Sequence, residues 1–167
     1  MQASETHSQT ANHYPPLPNL YEADFYAWTQ TQVMLLRAQQ WEQIDLPNLI
    51  EELESLGKQQ CQELRNRLSV LVGHLLKWQY QPQYRSRSWL ATIRIQRLDV
   101  TELLEDNPSL KPYLEEALGR AYLKSIELAV RETNLPKYTF PPKCPYNFAD
   151  IFDEHFYPGE PSELIEE

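Results

Sequence analysis

The chain has 167 residues, 41% of them hydrophobic and 23% charged, and a formal net charge of -9. That length fits one domain able to bury a core without disulfides or metal, and the negative balance argues against non-specific binding to nucleic acid or an anionic membrane. No run approaches the ~18 apolar residues of a membrane span, and four glycines could hardly build a phosphate-cradling loop.

Residues 1–18 are polar and then proline-rich, which predicts disorder. They have neither the basic start nor the apolar core of a signal peptide. With two cysteines in different contexts, Cys61 and Cys144, the expectation is a cytoplasmic protein with reduced thiols.

Order is expected to begin near Asn19 or Asp24, both acceptable N-caps. Tyr21, Phe25, Trp28, Gln32 and Leu36 then recur at helical intervals and predict a first helix to about Gln39. Asp45 is the expected cap of a long second helix with Pro47 in its first turn and Pro82 ending it. Its apolar stripe runs Leu49, Leu53, Leu56, Leu64, Leu71, Leu75 and Trp78, a core-facing pattern. Gly57 is the one place where it could break. Ser88 is read as the cap of a third helix carrying Trp89, Ile93, Val100 and Leu103. After Asp106-Asn107-Pro108-Ser109 a fourth is expected from about Leu110 to Thr133.

From Asn134 prolines alternate with aromatic rings. Such a segment cannot be a long helix yet is too aromatic for disorder. It is expected to lie extended over the helices, with one short helix near Phe148–Asp153 capped by Asn147. The fold class is therefore all-α: a four-helix bundle with a proline- and aromatic-rich C-terminal strap. Residues 19–157 form the domain and 158–167 an acidic tail.

The stretches DFYAWTQTQVMLLR, DLPNLIEELESLGKQQCQELRNRLSVLVGHLLKWQYQP, RSWLATIRIQR, NPSL and FPPKCPY, in that order and spacing, resemble the bacterial domain of unknown function family 29 over about residues 20 to 157. The resemblance implies an all-helical domain and brings no activity, substrate or catalytic residue with it.

Two features carry the functional reading. Glu52, Glu63, Arg67 and His74 line one margin of the long helix's apolar stripe, where polar groups must be paired or functional. Arg67 with Glu63 is a plain i, i+4 pair, and a satisfied interhelical histidine is the ordinary reading of His74. The candidate catalytic residues are nevertheless His74 and Arg67, whose spacing is close to the Arg–His spacing of HEPN-type RNA-cleaving bundles. Metal is the other alternative, with Glu51, Glu52, Glu54 and His74 as donors. Glu52 and His74 are about 33 Å apart along a continuous helix, so they could share an ion only if Gly57 were a turn. The paired Glu-x-x-His pattern of di-iron bundles is absent, and no metal site or cofactor is assigned.

The second feature is a basic, aromatic stretch. From His74 to Leu98 there is no Asp or Glu, while Lys77, Arg85, Arg87, Arg94 and Arg97 interleave with Trp78, Tyr80, Tyr84 and Trp89. Guanidinium forks beside flat rings suit an acidic or base-bearing partner, so Arg85, Arg87, Arg94, Arg97, Trp78 and Trp89 are the candidate binding residues. The competing reading pairs these arginines internally with the chain's carboxylates. The expected function is a macromolecular interaction or accessory module whose partner is a protein or RNA, with no membrane partner. Exposed rings on the first helix, such as Tyr26, are compatible with a homodimer. Whether the chain is an enzyme stays open.

Overall fold

A computed structural model describes residues 19–165. The expected disorder of residues 1–18 lies outside the described residues, as do the last two residues of the tail. The described chain is all-α: α1 (Leu20–Ala23), α2 (Phe25–Arg37), α3 (Leu46–Tyr80), α4 (Arg87–Asp106), α5 (Leu114–Thr133) and α6 (Phe148–Phe152), with short 3-10 turns between them and no strand among the described residues. The four long helices expected from the sequence are α2 to α5. The described residues divide into two compact units, one ending at Ser55 and the other beginning at Leu56, so that α3 contributes to both.

In the first unit the predicted opening helix is split. Asp24 leaves helical geometry and its carboxylate accepts from Ala27 N–H at 2.9 Å, capping α2 instead of α1. Asn19 makes no side-chain cap. α2 ends where Gln39 turns left-handed (φ 56°) and Gln40 N–H bonds back to Leu35 O, a closure that satisfies the last carbonyls of the helix. Asp45 then opens α3. Its carbonyl takes Leu49 N–H, its carboxylate takes Asn48 Nδ2 and Trp28 Nε1, and its N–H donates to Gln32 Oε1. The Asn48 bond is the largest of the influences that hold the Asp45 carboxyl below its ordinary pKa, against the effect of burial.

The second unit holds the core. Leu64, Leu68, Leu71, Leu75 and Trp78 of α3 pack with Ile93, Val100 and Leu104 of α4, with Ala117, Ala121, Ile126 and Ala129 of α5, and with Phe140, Tyr146 and Ile151 of the C-terminal strap. α4 starts two residues earlier than expected: its cap is Ser86, whose Oγ accepts from Trp89 N–H, and not Ser88. The segment Pro108–Tyr113 is 3-10 and α5 begins at Leu114 instead of Leu110; helical geometry starts already at Pro108, and Pro112 lacks the N–H that an α-turn would direct to Pro108 O. Asn134 (φ 57°) closes α5. Asn147 caps α6 through Asp150 N–H, as expected.

Gly57 lies inside α3 and makes no turn. A Cβ there would meet nothing within 4 Å, so Gly57→Ala is expected to raise stability by about 0.5–1 kcal/mol through helix propensity alone. Gly73 is the opposite case. A Cβ there would sit 2.9 Å from Leu128 Cδ2 and 3.3 Å from Ser125 O, so this glycine sets how closely α3 and α5 approach. Gly73→Ala is expected to cost about 1–3 kcal/mol by overpacking. Urea unfolding of the two variants checks the opposite signs.

Candidate functional site

The basic stretch turns largely inward. Arg97 is 4% exposed and donates to three carbonyls of the strap: Ile151 O at 2.9 Å, Phe156 O at 2.5 Å and Glu154 O at 3.4 Å. Its guanidinium lies over the Tyr157 ring. Arg85 does the same further along, giving Nε to Trp78 O and its other nitrogens to Glu160, Pro161 and Pro158 carbonyls. It covers the Trp78 ring. Gly159 (φ +89°) lets the chain turn where a Cβ would lie 3.2 Å from the Arg85 guanidinium. Apart from the Trp78 carbonyl of α3, the hydrogen-bond acceptors of these two arginines among the described residues are backbone carbonyls of the C-terminal segment.

The two tryptophans follow. Trp78 is fully buried, and its Nε1 is a buried polar side-chain atom without a hydrogen-bond partner among the described residues, for which the packing offers no account. Trp89 is half-buried against the core and lies under the Lys77 ammonium at 4.1 Å. Lys77 is itself buried and bonds Glu132 at 2.5 Å.

Arg87 and Arg94 remain on the outer face of α4. Arg94 is exposed, donates to Tyr157 Oη at 3.3 Å and stands between two shallow grooves of about 420 Å³ each. Leu98, His155 and Ile165 line one groove, and Arg87, Ile95 and Leu164 the other. This face is what the stretch presents outward.

At the candidate catalytic pair, Arg67 bonds Glu63 at 2.7 Å and also Asp99 across to α4. His74 is buried and its Nδ1 pairs with Val70 O at 2.9 Å in its own helix. The two lie two helical turns apart on α3. Among the described residues no group of three or more His, Cys, Asp or Glu could hold a metal ion, and with α3 unbroken at Gly57 the turn that would return Glu52 to His74 does not form.

Burial, the largest influence, holds the His74 pKa below the ordinary 6.5, with Lys77 adding to the lowering while the Val70 bond and Glu132 oppose it. The unfolded chain therefore takes up a proton near pH 6.5 that the folded chain resists. The stabilisation from keeping His74 neutral is complete above that pH and is lost as pH falls through the folded pKa. Urea midpoints are expected to drop between about pH 7.5 and about pH 5.5, and to drop less in His74→Gln.

The first unit presents a different surface. Only Trp28 and Gln32 of α2 are buried there. Of the long helix's apolar stripe, expected to face a core from Leu49 onward, Leu49 is half-buried but Leu53 is 60% exposed, and Leu46 and Ile50, outside that stripe, are exposed beside it. Phe25, Tyr26, Val33 and Leu36 of α2 are exposed as well, Tyr26 at 74%. Tyr21 of α1 pairs with Glu52, and Trp28 and Gln32 of α2 pair with Asp45, so the α1–α2 segment runs antiparallel to α3. Viewed from the N-terminal end of α2, at ~100° per residue, Phe25, Leu36 and Val33 follow the Trp28–Gln32 edge clockwise. From the same viewpoint Leu53, Leu46 and Ile50 follow the Asp45–Glu52 edge of α3 counterclockwise. The two stripes therefore fall on one side of the hairpin and make one apolar face without a charged residue. Sequence periodicity marked Phe25, Leu36 and Leu53 as stripe positions but could not show that they are exposed among the described residues.

The sequence model of the family described as Domain of unknown function DUF29 matches residues 20–157. No curated protein matches the chain, and no solved structure does.

Proposed function

The chain belongs to the family Domain of unknown function DUF29, whose description names no activity, and we propose that it is a helical interaction or accessory protein that docks a protein partner on its α2–α3 hairpin. One observation carries this reading: the hairpin's apolar face, built at helical spacing, is exposed among the described residues. Apolar side chains in helical register are costly to leave in water, and large exposed patches mark interaction sites. Phe25, Leu46, Ile50 and Leu53 of this face are each about half exposed or more. An uncharged face of this kind suits a protein better than a polyanion. Arg87 and Arg94 on α4 are the second contact region of this reading, suited to an acidic segment.

No helix among the described residues is long and apolar enough to cross a membrane. The enzymatic alternative, RNA cleavage or metal-dependent chemistry centred on Arg67 and His74, needs a solvent-reaching imidazole beside an available guanidinium. His74 is buried and Arg67 is engaged by two carboxylates. RNA cleavage by the purified protein that disappears in His74→Ala would overturn the accessory reading.

The direct test places a photoreactive amino acid at Ile50 or Leu53 in the producing cells, with Glu102 of α4 as control position. Adducts of one defined mass at both hairpin positions, absent at Glu102, are expected. No adduct at either hairpin position overturns the reading.

A further inference from the structure

Resting on that reading, we infer that the occupant of the hairpin face is a second copy of the same chain, the two hairpins closing face to face into an isologous four-helix assembly. Three observations lead there. The first is architectural. Two antiparallel helices with one apolar side are half of a four-helix bundle, and a two-fold axis across that side supplies the other half from an identical chain.

The second is electrostatic. Each chain carries a net charge of -9, which opposes association unless the meeting surfaces are free of charge. Phe25, Val33, Leu36, Leu46, Ile50 and Leu53 form such a surface, so a copy meets no like charge at its centre. A face with no charge also offers nothing to select an oppositely charged partner.

The third is extent. Six large apolar side chains, each 37% to 60% exposed, share the face, on the scale of the largest patch of a typical monomer, ~300–600 Å², and toward the ~800 Å² per partner of a standard interface. Phe, Tyr and Trp, the rings exposed on this unit, are the types enriched at such interfaces.

The experiment is light scattering or sedimentation on the purified full chain over a ~100-fold concentration range. A mass twice the 19.7 kDa of the chain is expected at the upper end. Leu53→Glu should return it to 19.7 kDa with its helical circular dichroism intact, because position 53 is exposed and glutamate is a good helix former. Ile50→Lys should do the same, which keeps the test valid if one variant fails to fold. Leu123→Glu, at an exposed position of α5, should leave the dimer unchanged. A folded chain of 19.7 kDa at every concentration overturns the inference, as does a dimer that survives both hairpin substitutions. A monomer that still gives photoadducts to a different protein at Leu53 overturns self-association and leaves the interaction reading standing. A monomer with no adducts overturns both.

Discussion

Replacing Arg97 with methionine is expected to cost about 3–5 kcal/mol, the scale for removing one partner from a buried charged network. Arg97 is the single side chain that ties the strap to α4 at three points, through Ile151, Glu154 and Phe156 carbonyls. Each hydrogen bond from a charged donor is worth about 1.5–3 kcal/mol in context, and the three are not additive. Burial is the main influence pulling the Arg97 pKa below its ordinary value, with Tyr157 and Asp153 opposing it. A guanidinium tolerates this because it keeps its proton where a lysine would not.

The outcome should separate geometry from charge. Arg97→Lys keeps a positive charge but offers a single nitrogen to three divergent acceptors, so it should recover little of the lost stability. In Arg97→Met the orphaned carbonyls are expected to turn to water, releasing the strap before the helices melt. Thermal denaturation should show a midpoint lower by on the order of 10 °C, and limited proteolysis should show early cleavage between α6 and the C-terminus. A strap as protease-resistant in Arg97→Met as in the parent chain would sink this account of how it is held.

The helices were legible because their determinants are local. Asn147 lies directly before the first residue of α6, Pro82 stands two residues beyond the end of α3, and the leucine spacing of α3 is a property of that segment alone. Ser86 and Ser88 show the limit of such reasoning: both are sound caps two residues apart, and the seating of Arg85 on Trp78 O fixes the chain just before the first of them. The roles of the arginines were not legible. The strap acceptors of Arg85 and Arg97 lie more than fifty residues away and are main-chain carbonyls, which carry no residue-type signature. The stripe of α3 has the same limitation. Leu53 and Leu71 are equivalent by periodicity, yet one is exposed and the other is in the core, because coverage depends on which helices arrive opposite them.

Lys77 and Glu132 give a second large effect, and a sign that depends on which partner is removed. Lys77 is 1% exposed, with its ammonium 2.5 Å from Glu132 Oε2 and over the Trp89 ring. Burial pushes the Glu132 pKa up, but its bonds from Lys77 and Arg131 outweigh this and hold it below the ordinary 4.5. Its contribution is therefore complete above about pH 4.5 and is lost as pH falls through the folded pKa. Glu132→Ala leaves a buried ammonium without its counter-charge and should cost several kcal/mol, toward the lower end of the ~3–5 kcal/mol for breaking a buried pair, since a third of the carboxylate's side chain reaches water. Lys77→Met removes the charge and fills the same space with an unbranched apolar chain, so it should lie within about 1 kcal/mol of the parent. The double variant Lys77→Met with Glu132→Ala should be more stable than Glu132→Ala alone, because no stranded charge remains. Urea unfolding of the four proteins as a double-mutant cycle measures the coupling. If removing Lys77 costs as much as removing Glu132, the pair contributes net stability and the desolvation argument fails at this site.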